Sequence, residues 1–263
     1  MKITCLLENT TTKNDILTEH GLSLYIETEN HKILFDMGQS DLFAKNAETL
    51  GIDLSKVDIA ILSHGHYDHG GGLETFLEIN NNAPIYVNKN AFGSHYSGKE
   101  KYIGLDIRLK DNSRIRFTEN ETVIDDNINL LTCNNYISNN PLSNEKMNIK
   151  AENGFVSDEF KHEQYLVITE NGKKTVISGC SHKGILNITE WLDPDILVGG
   201  FHFKNTELSS DGINKLKNVA QGLLKTNSIF YTCHCTGIEQ FNFMKEIMQD
   251  RLFYLSCGNN LNI

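Results

Sequence analysis

The chain has 263 residues, 39% of them hydrophobic, with 20 glycines and only 3 prolines, the composition of a globular protein long enough to bury a sizeable core. Its formal net charge of −10 argues against non-specific nucleic-acid binding, and no apolar run approaches the ~18–20 residues of a membrane-spanning helix. The first apolar run is too short for a signal peptide, so Cys5, Cys133, Cys180, Cys233, Cys235 and Cys257 read as reduced thiols or metal ligands of a cytoplasmic protein rather than as disulfides.

Residues 3–8 read as a first strand, and 22–28 with 32–36 as a hairpin turned at Glu29-Asn30-His31. Ser40-Asp41 starts a helix that Gly51 stops. Residues 57–62 form a buried strand, 73–79 a helix and 84–88 a further strand. Residues 89–160 are polar and rich in asparagine, with short strands at 114–118 and 128–132 and a long loop over 133–150. A loop of that length implies part of an active-site wall or a small inserted subdomain. Strands at 165–169 and 174–178, joined at Asn171-Gly172, precede a helix at 184–191 and a strand at 195–198. An amphipathic helix over 210–224 carries Ile213, Leu216, Val219, Ala220, Leu223 and Leu224 on one face. A strand at 228–231, a helix at 238–248 and a strand at 252–255 complete the series. The alternation is that of a single α/β domain over 1–263, with either the inserted subdomain or long loops within 89–160.

The stretch that carries chemistry is Ser63-His64-Gly65-His66-Tyr67-Asp68-His69-Gly70-Gly71-Gly72, directly after the buried strand. Three histidines and an aspartate within six residues suit a divalent transition metal, zinc first, with iron and manganese also accommodated by imidazole and carboxylate. His64 and His66 share a face at a strand end, and Asp68 and His69 on the following turn face a second ion. Gly65 and the Gly70–Gly72 run are expected to let the backbone bend there. Four ligands cannot close two tetrahedral sites, so others must come from afar. His182, His202 and His234 each follow a predicted strand, the place where α/β folds assemble sites. His20, His31, His95 and His162 lie in polar contexts and are expected at the surface.

His-x-His-x-Asp-His after an apolar strand, with Phe35-Asp36-Met37-Gly38 upstream, resembles the metallo-β-lactamase superfamily over nearly the whole chain. The resemblance implies an αββα sandwich, two mixed sheets face to face with helices outside, and a dinuclear site at one edge. It implies that His64, His66 and His182 hold one ion, and that Asp68, His69 and His234 hold the other. Where an acidic bridge is usual, this chain has Cys180, which reads equally as a thiolate ligand and as a small buried cysteine. Cys233 and Cys235 flank His234 and read as neighbours rather than ligands. Asp36 is expected to hold a ligand imidazole by a hydrogen bond. Tyr67 is expected either to line the pocket or to pack inward, and Lys183 either to meet substrate phosphate or to stand in solvent at a helix start.

Gly179-Cys180-Ser181-His182-Lys183-Gly184-Ile185, Gly199-Gly200-Phe201-His202 and Cys233-His234-Cys235-Thr236-Gly237 add a narrower resemblance, to a subgroup that contains a pterin-pathway synthase. Two reactions on a small-molecule substrate follow. In a hydrolase the ions lower the pKa of a water, Asp68 orients it, and His202 serves as proton donor or oxyanion contact. In a synthase joining a dihydropterin diphosphate to an aminobenzene riboside phosphate, they neutralise the departing diphosphate. A metal-dependent binding module is the non-enzymatic alternative. A di-iron redox reading ranks below these, because it wants an acidic bridge where Cys180 stands.

Overall fold

The computed structural model describes residues 1–142 and 146–263. Two seven-stranded sheets dominate it. The first runs, edge to edge, Asn260–Asn262, Lys2–Leu7, Ser23–Glu27, Lys32–Phe35, Ile59–Ile61, Ile85–Asn88 and Ile115–Thr118. The second runs Leu252–Tyr254, Ile229–Thr232, Ile196–Gly199, Lys173–Ile177, Tyr165–Glu170, Ile128–Leu131 and Glu121–Asp125. Both are mixed. The first is antiparallel up to Lys32–Phe35 and parallel beyond it. The second is parallel from Leu252–Tyr254 through Lys173–Ile177 and antiparallel beyond.

Side-chain alternation builds the layers. Successive strand residues point to opposite faces. Ile33 and Phe35 therefore enter the core between the sheets, where they meet Ile177 and Val198, while Leu34 packs outward with Phe43 and Phe76. In the second sheet Ile196 and Val198 point inward, and Leu197 packs outward against the helices with Leu216, Ala220 and Met244. The helices Leu42–Thr49 and Leu73–Ile79 cover one outer face, and Ile185–Leu192, Ser210–Leu223 and Ile238–Met248 the other. The result is the αββα sandwich. Strands such as Ile59–Ile61 are buried on both faces, which is why they read as unbroken apolar runs. No helix among the described residues is long and apolar enough to cross a membrane.

Residues 89–160 differ from expectation. A separate four-stranded antiparallel sheet, Gly154–Ser157, Met147–Ala151, His95–Ser97 and Lys101–Tyr102, replaces much of the expected irregular structure. The loop expected over 133–150 gives way to strand at Met147, while residues 143–145 of it lie outside the described residues. Neither Met147–Ala151 nor Gly154–Ser157 buries a residue fully, so these strands rest on pairing and leave no core signature in the sequence. Glu121–Asp125 and Asn260–Asn262 are likewise edge strands without an apolar run.

Candidate metal centre

One half of the site grows from two neighbouring parallel strands of the first sheet. Lys32–Phe35 ends at Asp36, and Ile59–Ile61 leads to Ser63. Asp36 is fully buried and accepts three hydrogen bonds: from Ser63 N–H (2.7 Å), Ser63 Oγ (2.7 Å) and His69 Nδ1 (2.6 Å). His66 stays extended, and a single helical turn, Tyr67–Gly70, then presents Asp68 and His69. The glycines serve close approach rather than the expected bend. Gly72 has φ −79°, and a Cβ there would stand 2.2 Å from the Met37 carbonyl oxygen.

The other half comes from three adjacent parallel strands of the second sheet. Their C-terminal ends deliver His182, His202 and His234. Strain accompanies them. Ser181, His202 and His234 have φ of 56°, 58° and 50°, and Asp36 across the site has 60°. Non-glycine residues in this region cost on the order of 1–3 kcal/mol each and need support from their surroundings. Two buried glutamates give it. Glu163 accepts from His182 N–H (2.7 Å) and Lys183 N–H (3.0 Å), and Glu8 accepts from His234 N–H (3.0 Å). Phe160 stacks on the His182 ring at 4.4 Å and 7°. Gly179 lets the two halves meet: a Cβ there would lie 2.2 Å from Ser63 Oγ and 3.1 Å from His64 Nδ1.

Four groups of metal-ligand type occur among the described residues, one of them His66, His95, Asp158 and His162, and two others bring the expected ligands together. His64, His66 and His182 form one; Asp68, His69, Cys180 and His234 form the other; within each, the ligand atoms lie within 4.8 Å of one another. Cys180 also groups with His182 and His202. The residues fit an ion chemically. Nε2 of His64, His66 and His234 and both ring nitrogens of His182 are buried and make no hydrogen bond, a costly arrangement unless something accepts their lone pairs. Burial, reinforced by neighbouring imidazoles, lowers the pKa of His64, His66 and His182 well below the ordinary 6.5, so they present neutral rings. Burial alone would raise Asp68, yet the His69, His234 and His20 rings hold its carboxyl well below the usual range. His69 also resists burial: Asp36 and Asp68 push it up to about 9. His69 Nε2 lies 3.1 Å from Cys180 Sγ, whose thiol burial and Cys235 push up, so each would have to give up a proton to serve as a ligand.

The groups open onto a cleft of about 250 Å³. His20, His66, Tyr67, Asp68, Cys180, His182, His202 and Cys235 line it, together with Ser97, Lys101, Ile103, Met147, Lys204 and Asn205. A family model described as "Metallo-beta-lactamase superfamily" matches residues 18–182, more than half of the chain. The chain belongs to that superfamily. Its sequence is 29% identical to the 7,8-dihydropterin-6-methyl-4-(beta-D-ribofuranosyl)-aminobenzene-5'-phosphate synthase of Methanocaldococcus jannaschii, over 89% of this chain and 86% of the synthase. It is also 29% identical to the uncharacterized protein MJ0448 of the same organism, over 93% and 94% of the two chains. The crystal structure of Tm1679, described as a metal-dependent hydrolase of the beta-lactamase superfamily, superimposes with a TM-score of 0.84 at 31% identity, covering 100% of this chain and 99% of that one.

Within this superfamily fold several residues depart from expectation. Lys183 does not reach the cleft. It is buried, its Nζ donates to Thr132 O (2.6 Å), Asn134 Oδ1 (2.7 Å) and Glu163 O (3.3 Å), and burial lowers its pKa to about 8. Tyr67 does line the cleft, as does His202, whose ring lies 4.4 Å from that of His182. Cys233 points into the core between the sheets, whereas Cys235 reaches the cleft beside Cys180, its Sγ 3.7 Å from the Cys180 carbonyl oxygen. His31 is the surface histidine expected, held between Asp58 and Asp125. His95 and His162 are not at the surface. Both are buried on Asp158 Oδ2, at 3.0 and 3.2 Å, and Gly65 N–H donates to His162 Nδ1 (2.9 Å), which ties down the loop between His64 and His66.

A chain of hydrogen bonds without any sequence signature orders the second group. His234 Nδ1 donates to Asn9 Oδ1 (2.7 Å), leaving Nε2 with its lone pair. The Asn9 amide nitrogen then donates to His20 Nδ1 (3.1 Å), so the His20 proton sits on Nε2, 3.3 Å from Asp68 Oδ2. Burial and the His234 ring lower the pKa of His20 to about 4, which keeps it neutral. Glu8, Asn9, His20 and Glu163 are ordinary polar residues in the sequence, and only the fold brings them to the site.

Proposed function

We propose that the chain is a dinuclear metal-dependent hydrolase acting on a small phosphate-containing molecule. The observation that carries this reading is the pair of adjacent ligand groups whose inward imidazole nitrogens are buried and unbonded beneath an open cleft. His64, His66 and His182 would hold one ion; Asp68, His69 and His234 the other, with Cys180 as a further ligand. When bound, the ions supply Lewis-acid contacts and a water of lowered pKa. The chain's own residues prepare the rest. Asp36 keeps the His69 proton on Nδ1 and Asn9 keeps that of His234 on Nδ1, so both Nε2 atoms face inward. Asp68, held ionised, orients the attacking water. His202, in the cleft beside His182, donates a proton to the leaving group or contacts the developing oxyanion. Imidazole and carboxylate favour zinc, with iron or manganese as the alternatives. Six free cysteines suit a reducing cytoplasm.

The test is metal analysis with turnover. The purified protein is expected to carry about two divalent ions and to hydrolyse phosphodiester or lactone substrates. His64→Ala and chelation each abolish that activity, and full activity after chelation refutes the mechanism. A second reading, condensation with release of diphosphate, rests on the similarity to the synthase. Incubation with a dihydropterin diphosphate and an aminobenzene riboside phosphate distinguishes the two. A metal-dependent binding module without turnover is disfavoured because structural sites are closed by four protein ligands, whereas the first group offers three beneath an open cleft.

A further inference from the structure

The cleft has a charge pattern opposite to that of the chain. The formal net charge is −10, yet among the described residues lining the cleft Asp68 is the only carboxylate. That carboxylate is already surrounded by His20, His69 and His234. Two lysines line the cleft with it, one beside Tyr67 and one beside His20. Lys101, on the small four-stranded sheet, places Nζ 3.3 Å from the Tyr67 hydroxyl and 5.1 Å from the centre of its ring. Lys204, two residues past His202, places Nζ 3.5 Å from His20 Nδ1. Lysines elsewhere on the surface, such as Lys45, Lys89 and Lys161, lie against carboxylates. The two cleft lysines lie against a phenol and a neutral imidazole, which steer an ammonium without neutralising it.

We propose that Lys101 and Lys204 form a two-sided clamp for a phosphate group of the substrate. Lys101 closes on it from the side of His66 and Tyr67, and Lys204 from the side of His20 and His234. The clamp rests on the hydrolase reading for a phosphate-bearing substrate and adds the residues that select it. A phosphoryl group suits the site better than a carboxylate does. It carries up to two negative charges over three peripheral oxygens, enough for two ammonium groups approaching from different directions. Lysine serves as a compact point charge and needs no bidentate geometry. Ile103 and Met147, on the Lys101 side, offer an apolar wall to the body of the molecule.

The experiment is calorimetric titration of the metal-loaded protein with inorganic diphosphate, in the wild type, Lys101→Gln, Lys204→Gln and the double variant, with ion content measured in each. Both side chains are exposed, so the variants keep the fold. Each single change is expected to weaken binding about tenfold and the double change roughly a hundredfold, with ion content unchanged. Diphosphate binding by the double variant within about twofold of wild type overturns the clamp. Loss of an ion in either single variant also overturns it, because the lysines would then support the metal groups rather than the ligand. Citrate binding that depends on both lysines, where diphosphate binding does not, overturns the assignment to phosphate. Lysine-dependent diphosphate binding in a protein without hydrolytic turnover refutes the hydrolase reading and leaves the clamp standing; turnover whose KM ignores both lysines does the reverse.

Discussion

Replacing Asp36 by asparagine tests how the protein prepares His69. The backbone there has φ 60°, which asparagine tolerates, so the change acts through hydrogen bonding and charge rather than through strain. The new carboxamide oxygen can still accept from Ser63, but its NH₂ group meets the Nδ1 proton of His69. The imidazole then moves its proton to Nε2, the nitrogen that faces the Asp68–His69–Cys180–His234 group. Loss of such a support typically lowers metal affinity about 10–100-fold. A second effect appears in the metal-free protein. Burial opposes the charge on His69, but Asp36, the strongest of the groups that raise it, helps bring its pKa from 6.5 to about 9. That displacement corresponds to roughly 3 kcal/mol. Because the folded pKa is the higher one, the stabilisation is complete below pH 6.5 and disappears as pH rises through about 9. The stability gap between wild type and Asp36→Asn should therefore be widest near pH 6 and narrow by up to about 3 kcal/mol toward pH 10. Chelator competition reads the first effect, and urea unfolding of metal-free protein across that range reads the second. Ion affinities within about threefold of wild type, together with a gap that does not change with pH, would refute the role given to Asp36.

His182→Ala and His234→Ala should each lose one ion by elemental analysis; retention of both in either variant refutes that ligand's place. Gly179→Ala puts a methyl group 2.2 Å from Ser63 Oγ and should destabilise the protein by about 1–3 kcal/mol in thermal or urea unfolding. His162 is held neutral, its pKa lowered to about 4 by burial and His95, so its contribution to stability is present above pH 6.5 and is lost as pH falls toward 4. His162→Gln still accepts from Gly65 N–H but does not titrate, and its acid-unfolding curve should be flatter across that window. Lys183→Met should lower stability while leaving KM unchanged, since the lysine faces Thr132 and Asn134 rather than the cleft.

The residues legible in the sequence are those whose signal is local. Six consecutive positions hold His64, His66, Asp68 and His69, and strands buried on both faces, such as Ile59–Ile61, announce themselves as apolar runs. The helix Ser210–Leu223 shows its face through Leu216, Ala220 and Leu223. Partners from distant segments were hidden. His95 and His162 sit in polar stretches, and their burial depends on Asp158, a residue 63 positions from His95. Glu8 and Asn9 follow a strand at one end of the sequence and support a histidine 226 and 225 positions away. Lys183 is adjacent in sequence to His182 yet takes a separate path, its Nζ reaching the carbonyl oxygens of Thr132 and Glu163.

The second ligand group draws Asp68 and His69 from one sheet and Cys180 and His234 from the other. A chain whose sheets have not yet docked offers an ion only one side of each group. Capture of an ion by either group would therefore belong to the end of folding, after the slow, long-range contacts have formed. Ions bound there would act as adhesion between the two sheets. Their removal would then withdraw a clasp from the edge of the sandwich.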